Sequence, residues 1–590
     1  MGEQRSPLTR VYRSLYSEDL FLAAYAKIYK NDGALTPGTA GETADGMSIK
    51  TIHTIIEQLR YERFRFRPVR RGYADKKNGG KRPLGMPDFP EKLVQEALRM
   101  LLEAYYEPRF RDSSHGYRPE RACHTALADI KRKLNGTIWF IEGDIRGCFD
   151  NIDHKVLMEI LKRDIHDGRV LNLIQLCLEA GVMEDWLYRP SYEGVPQGGI
   201  LSPLLSNIYL HELDMFVEDI LIPHYTKGER RKRNPEYEAV RIAIQRARRN
   251  NALELTQQLE QQRRSIPSQD TYDPNYRRLR YCRYADDFLL AFIGTKSEAK
   301  EIKTAIGKFL EERLHIELND KKTLITHAHN ERAHFLGYSV SICQDNNKID
   351  RRKGDHAKIR HVNGAVLLGI PYGLVDEYCN EYLRGGKPYP ETILIDNSDA
   401  HIIEEYQSRF RGIAEYYKFA SDRYRLGKLK FVMEVSLVKT LAAKYKTSAR
   451  KIYRRYRRNR IVDGYSYKTL EVDVETNTGK RTIYWGAVPL KVAKVGSAPI
   501  EDTRHRIQWT KGSDLVKRLQ ADTCELCGSH RDIEVHHVRK LSNLKKRWKG
   551  RKQKPTWVTR MIAQRRKTLI VCRKCHRDIH AGRPTPKSRE

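Results

Sequence analysis

No stretch of 18 consecutive apolar residues occurs in this 590-residue chain, so no membrane-spanning helix is expected. The first residues carry no apolar signal region. Glu3, Glu18 and Asp19 also sit where an organellar transit peptide would be poor in acids, so a cytoplasmic location is expected. Cysteine is scarce. Of the 10 cysteines, four form two CxxC pairs near the C-terminus, which argues against a disulfide framework and for a metal site in a reducing compartment. Acidic residues are in deficit, 75 against 109 Lys and Arg, and the net charge of +34 points to a polyanionic partner, with nucleic acid first. The 33 tyrosines offer rings on which bases could stack, although many must serve ordinary cores. A chain of this length implies several domains.

The most informative stretch is RLRYCRYADDFLLAFIG, Arg278 to Gly294. Tyr284-Ala285-Asp286-Asp287 lies between two apolar runs that read as strands. Adjacent aspartates repel each other and are poor strand formers, so a hairpin between buried strands is a costly place for them unless a divalent cation offsets the charge. Upstream, Thr137 to Ile141 is a compact apolar run ending at Glu142-Gly143-Asp144, which puts Asp144 at the mouth of a strand. Asp144, Asp286 and Asp287 on neighbouring strand ends would hold two Mg²⁺ ions about 3.5–4 Å apart, the clamp used in phosphoryl transfer. Mg²⁺ fits because it takes few carboxylates and leaves positions for water and substrate phosphates. For an isolated ADD string, a turn with two solvated aspartates would be the simpler reading.

The string is not isolated. GDIRGCFD, then GVPQGGILSPLLSNIYL, then YADDF, in that order, resembles the reverse transcriptases of group II introns over most of the chain. The resemblance implies a multidomain α+β protein: a right-hand polymerase with fingers and palm, a helical thumb or maturase domain, and a small zinc-stapled module. It implies that Asp144, Asp286 and Asp287 are the polymerase carboxylates. Lys81 and Arg82, just past the Asn78-Gly79-Gly80 turn, become fingers residues that neutralise triphosphate charge, as against a merely solvated basic turn. Phe149 becomes the bulky ring that clashes with a 2′-hydroxyl and selects deoxynucleotides, as against a core phenylalanine. Gln197, before Gly198-Gly199, would bond a sugar or base edge. Arg118 is a candidate template or phosphate contact.

The expected organisation is an RNA-binding N-terminal extension over 1–75, with Thr39-Ala40 where Val-Asp is commoner in the family. The polymerase follows over 76–345, interrupted at about 222–280 by a charged, helical insertion. A thumb or maturase domain spans 346–460, a DNA-binding region 461–515 and the C-terminal module 516–590. Two basic–aromatic runs, Arg60 to Pro68 and Arg450 to Arg460, are expected to meet RNA, as against solvated charged faces.

In the C-terminal module Cys524, Cys527, Cys572 and Cys575 have the spacing of a tetrahedral structural Zn²⁺ site, a useful staple for some 70 residues with few apolar positions. Glu534-Val535-His536-His537 and Cys575-His576 through His580 resemble an HNH endonuclease of ββα-metal fold. The resemblance implies that His536 and His580 hold one divalent ion and that His537 is the general base. The middle Asn of that motif is not evident, since Lys567 or Thr568 stands there, so a DNA-binding zinc ribbon without cleavage is the alternative. The basic tract Leu544 to Lys554 would serve either version.

The expected whole is a bacterial, nucleoid-associated group II intron-encoded protein. Its partners are intron RNA (a ribonucleoprotein), target DNA and dNTPs, with no membrane and with a homodimer admitted as an assembly. Its activities would be splicing assistance, target nicking and target-primed reverse transcription. Two rivals differ in class: a binding-only maturase with idle catalytic sites, and a reverse transcriptase of another retroelement or defence system.

Overall fold

The computed structural model describes all residues except 1–5, 76–78, 185–186, 190–197, 271–272, 345–349, 352–357, 360–362, 477–478, 496–513, 542, 545–553, 565 and 586–590. Gln197, most of the basic tract Leu544 to Lys554 and part of the 461–515 region lie outside the described residues.

The chain is organised around a four-stranded antiparallel sheet. Its order is Arg278–Tyr284, Asp287–Ile293, Trp139–Asp144, Leu324–His327. Alternation along the strands separates two cores. Ile141, Phe288, Leu290 and Phe292 face a core shared with the helix Lys296–Leu314, through Ile302, Ile306 and Leu310. Phe140, Leu289 and Ala291 face the other, shared with the helices Cys123–Lys133, Asp399–Tyr416 and Leu426–Lys444. The helix Lys296–Leu314 begins at a capping box. Thr295 Oγ1 accepts from Glu298 N, and Glu298 Oε2 accepts from Thr295 N at 2.8 Å.

A second four-stranded sheet carries the hairpin Val69–Asp75 and Lys81–Met86, with Lys81 opposite Asp75. Beside it, Phe89–Tyr106 is a deeply buried helix. The expected insertion contains a helical hairpin, Pro235–Arg249 and Leu253–Ser265, tied by an Arg248–Glu260 ion pair. Phe335-Leu336-Gly337-Tyr338 and Tyr416-Tyr417, far apart in sequence, meet. Tyr416 Oη donates to Leu336 O at 2.7 Å, Tyr417 Oη donates to Gly337 O at 3.1 Å, and Tyr338 Oη donates to Tyr416 O. A three-stranded meander, Arg457–Val462, Tyr465–Thr476 and Gly479–Trp485, seats the fully buried Trp485 against Phe410.

Three nucleic-acid expectations change once burial is known. Arg118 is buried. It pairs with Glu107 and donates to the carbonyls of Arg111 and Ser114, so it braces a loop and does not face a template. In Arg60 to Pro68 no strand forms. Phe64 and Phe66 turn inward, edge to face, while Arg63, Arg65 and Arg67 stay exposed. In Arg450 to Arg460, Tyr456 is buried with its hydroxyl on Asp399, and Tyr453 bonds Glu434. In these runs the core claims Phe64, Phe66 and Tyr456, while Tyr61 stays 64% exposed beside the exposed arginines.

Among the described residues no helix is long and apolar enough to cross a membrane.

Candidate active sites

The first site sits where the central hairpin turns. Asp144 faces Asp287 directly across the strand pair, and Asp286 is the residue before it in the two-residue turn. This register needs Gly143. A Cβ there would stand 2.0 Å from the ring of Phe288, its cross-strand partner, so only glycine lets that ring lie over the strand and keep the two aspartates level. Ala285 takes a left-handed backbone at φ 57°, which lets the two-residue turn Ala285-Asp286 close the hairpin. Behind the turn Gly116 makes a similarly close approach: its Cβ would meet Ala285 N at 2.3 Å.

The turn is held from beneath by a buried network that sequence reasoning did not anticipate. Arg283 has no exposed side chain, and its guanidinium donates to both Asp214 oxygens, at 2.7 and 2.5 Å. It also donates to Ala285 O at 2.8 Å and to Ser114 Oγ at 2.9 Å. Asp214 accepts a further bond from Tyr281 Oη at 2.9 Å, and Asn207 Nδ2 donates to Gly116 O at 2.7 Å. Both Asp214 and Asn207 come from the helix Ser202–Met215.

Electrostatics at the mouth is unfavourable without a cation. Burial, then Asp286 and Asp144, pushes the Asp287 carboxyl up to about 7. Asp286 is raised as well, by burial and then by Asp144. Asp144 accepts from Asn319 Nδ2 at 2.8 Å and pairs with Lys322 at 2.9 Å. The exposed Lys322 tail thus brings positive charge to all three carboxylates, and Arg82 adds to it at Asp286. This is the donor set that a divalent cation fits.

Around the carboxylates, Phe149 is half-buried and its ring stands edge-on to Tyr117 at 6.0 Å. Arg82 is exposed on the facing hairpin, near enough that its charge lowers the pKa of Asp286 against the stronger effect of burial. Lys81 is exposed and lies 5.9 Å from the Tyr73 ring. Gln197 is among the residues not described.

The second site lies in the C-terminal module. The hairpin Ile533–His537 and Thr568–Cys572 is followed by the helix Arg573–Ala581. Ligand atoms of Cys524, Cys527, Cys572 and Cys575 lie within 4.8 Å of one another. Within each CxxC pair the second cysteine's N–H points at the first sulfur, at 3.4 and 3.5 Å. This closed set of four thiols fits a structural zinc ion.

Next to it is a cluster of Asp45, His536, His576 and His580, again within 4.8 Å. His576 was not anticipated as a ligand, although its i, i+4 spacing from His580 on one helix was a usable signal. Glu534 accepts from His576 Nδ1 at 2.8 Å, which leaves Nε2 turned inward for a metal. Burial lowers the His576 pKa, but Asp45 and Glu534 outweigh it and hold the ring at about 9. His536 is buried and neither ring nitrogen makes a hydrogen bond, an arrangement a metal ion would satisfy. His537 points elsewhere. Its ring is buried 6.0 Å from Tyr29, and burial pushes its pKa down to about 4. Asp45 comes from the N-terminal extension, and nothing in the sequence flagged it.

Comparisons with known proteins place the chain's segments in families. Residues 74–226 match the family described as reverse transcriptase (RNA-dependent DNA polymerase). Residues 374–484 match type II intron maturase, and residues 524–576 match AI2M/AI1M-like HNH endonuclease. The group II intron-encoded protein LtrA of Lactococcus lactis subsp. cremoris is 38% identical, over 97% of this chain and 95% of its own. A Schizosaccharomyces pombe protein described as an uncharacterized 91 kDa protein in cob intron is 33% identical, over 97% of this chain and 69% of its own. Escherichia coli protein YkfC is 34% identical, over 57% of this chain and 84% of its own.

Proposed function

The chain belongs to the group II intron-encoded proteins, joining reverse transcriptase, maturase and HNH endonuclease domains, and from that premise we propose how its residues divide the work. Asp144, Asp286 and Asp287 are the polymerase carboxylates. The observation that carries this is the register: Asp144 opposite Asp287 and Asp286 adjacent, with Asp287 raised in pKa by burial, Asp286 and Asp144, and Asp286 raised by burial and Asp144. Two Mg²⁺ ions held there would neutralise charge on the attacking and leaving oxygens during in-line displacement at the α-phosphate.

The protein's own part is positioning. Arg283 and Asp214 fix the turn that presents the two aspartates. Lys322, now on Asp144, releases that carboxylate when a stronger cation competes for it. Lys81 and Arg82 on the hairpin neutralise the triphosphate, and Gln197 bonds a sugar or base edge. Phe149, backed by Tyr117, lines the sugar pocket and excludes a 2′-hydroxyl. Residues 76–345 make up the fingers and palm and 346–460 the thumb, which with 1–75 grips intron RNA through exposed arginines. Residues 461–515 and the HNH module, 516–590, engage target DNA.

In that module the four cysteines hold a structural Zn²⁺. His536 and His580, joined by His576, hold one divalent ion that would polarise the scissile phosphate. His537 remains the proposed base, reached once Tyr29 uncovers it. Primer extension on an RNA template by wild-type and Asp286→Ala protein, beside a splicing assay on the same preparations, tests the polymerase assignment. Loss of extension with splicing retained is the expected outcome.

A further inference from the structure

The fourth member of the histidine cluster does not belong to the HNH module. Asp45 lies almost 500 residues upstream, in the loop between Thr36 and Met47. Asp88, buried, anchors that loop by accepting from the backbone N–H of Gly38, Ala40 and Glu42 at 3.0, 2.8 and 3.0 Å. The far end docks on the module edge through an isolated antiparallel bridge between Met47 and Val535. Gly46 N donates to Val535 O at 2.9 Å, and Val535 N donates to Met47 O at 2.9 Å. An exposed Lys50–Asp532 ion pair at 2.5 Å lies beside this junction.

This docking drives the Asp45 carboxylate between the histidines. Its oxygens lie 2.8 Å from His580 Nε2, 3.2 Å from His576 Nε2 and 3.3 Å from His536 Nδ1. His576 Nε2 and His580 Nε2 are 3.1 Å apart. Tetrahedral ligands at bond lengths of about 2.0–2.1 Å stand roughly 3.3 Å from each other, so these separations suit one shared ion. A catalytic site of this class keeps a position open for water or substrate. Here a protein carboxylate fills it, and the same docking covers the His537 ring with Tyr29 and binds the His537 N–H to Asp45 at 2.6 Å.

Resting on the reading that the three histidines hold a divalent ion, we propose that Asp45 is its fourth ligand and that the N-terminal segment thereby closes the HNH centre. A phosphodiester and Asp45 compete for the same position as anionic oxygen donors. Nicking requires the module to leave the segment, which frees the metal position and the His537 ring together.

The test uses the full-length protein with zinc in its four-cysteine site and Co²⁺ as the probe. Wild type is expected to bind Co²⁺ with the strong visible band of a four-coordinate ion. In Asp45→Asn, affinity should fall roughly tenfold or more and the band should shift as water replaces the carboxylate. Nicking of supercoiled DNA by the RNA-free protein should rise. Lys50→Glu, which breaks only the exposed ion pair and repels Asp532, should move all three readouts the same way. Unchanged Co²⁺ affinity and spectrum in Asp45→Asn would overturn the ligand assignment, and altered binding without increased nicking would overturn the closure. His576→Ala should abolish the Co²⁺ signal. A signal retained there would instead remove the three-histidine site on which the proposal stands.

Discussion

Arg283 and Asp214 form an ion pair with no side-chain exposure on either partner, 2.5 Å from Nη2 to Oδ2, directly beneath the turn that carries Asp286 and Asp287. Breaking one side of a buried pair leaves an uncompensated charge and costs about 3–5 kcal/mol, whereas replacing both partners by apolar groups of similar size is often neutral. Asp214→Leu alone should therefore lower the melting temperature sharply. The double variant Asp214→Leu with Arg283→Met should recover most of that loss but not primer extension, because the bond from Arg283 to the Ala285 carbonyl stays lost. Calorimetry and primer extension on the three proteins check this. Recovery of full extension in the double variant would mean that the pair does not position the turn.

Glu91 gives a pH prediction away from any metal ligand. It is buried, accepts from Arg67 N at 2.9 Å, and burial pushes its carboxyl up to about 7 from the ordinary 4.5. Between those values the folded chain keeps a proton that the unfolded chain has released, so stability falls as pH rises through that window. Glu91→Gln should match wild type near pH 4.5 and melt higher at pH 8, by an advantage on the order of 2–3 kcal/mol. A difference between the two proteins that does not change with pH would contradict this.

Phe149 is assigned to the sugar pocket. Phe149→Val should raise ribonucleotide relative to deoxynucleotide incorporation by roughly tenfold or more, read as the ratio of kcat/KM values. A core role predicts instead an equal loss for both nucleotides.

Removal of zinc should unfold the C-terminal module while leaving the polymerase intact. With Cys572→Ser, or after strong chelation, metal content should drop and limited proteolysis should cut selectively beyond residue 514. Extension activity should persist, because the polymerase carboxylates lie on another sheet.

Most of what positions the polymerase site was legible in the sequence because it is local. Strand periodicity flanks the YADD turn, and an apolar run ends at Asp144, so strand ends and their acids could be read directly. The pairing of Asp144 with Asp287 needed long-range register, for which the family resemblance supplied the expectation. What supports the turn was not legible. Asp214 sits in the largely buried helix Ser202–Met215 and Arg283 in a strand, and nothing local in the sequence pairs the two charges until the fold is known. The rings of Tyr456 and Phe64 were misjudged for the same reason: a basic–aromatic alternation does not say which face the core will take. Asp45 had no signal at all, because its meaning comes from a docking between the two ends of the chain.

The most direct test of the polymerase assignment is single-nucleotide extension by Asp286→Ala and Asp287→Ala proteins, measured beside intron splicing by the same preparations. Extension should be abolished in both variants while splicing and melting temperature stay near wild type. Extension retained in either variant, in a folded protein, would contradict the assignment of these carboxylates.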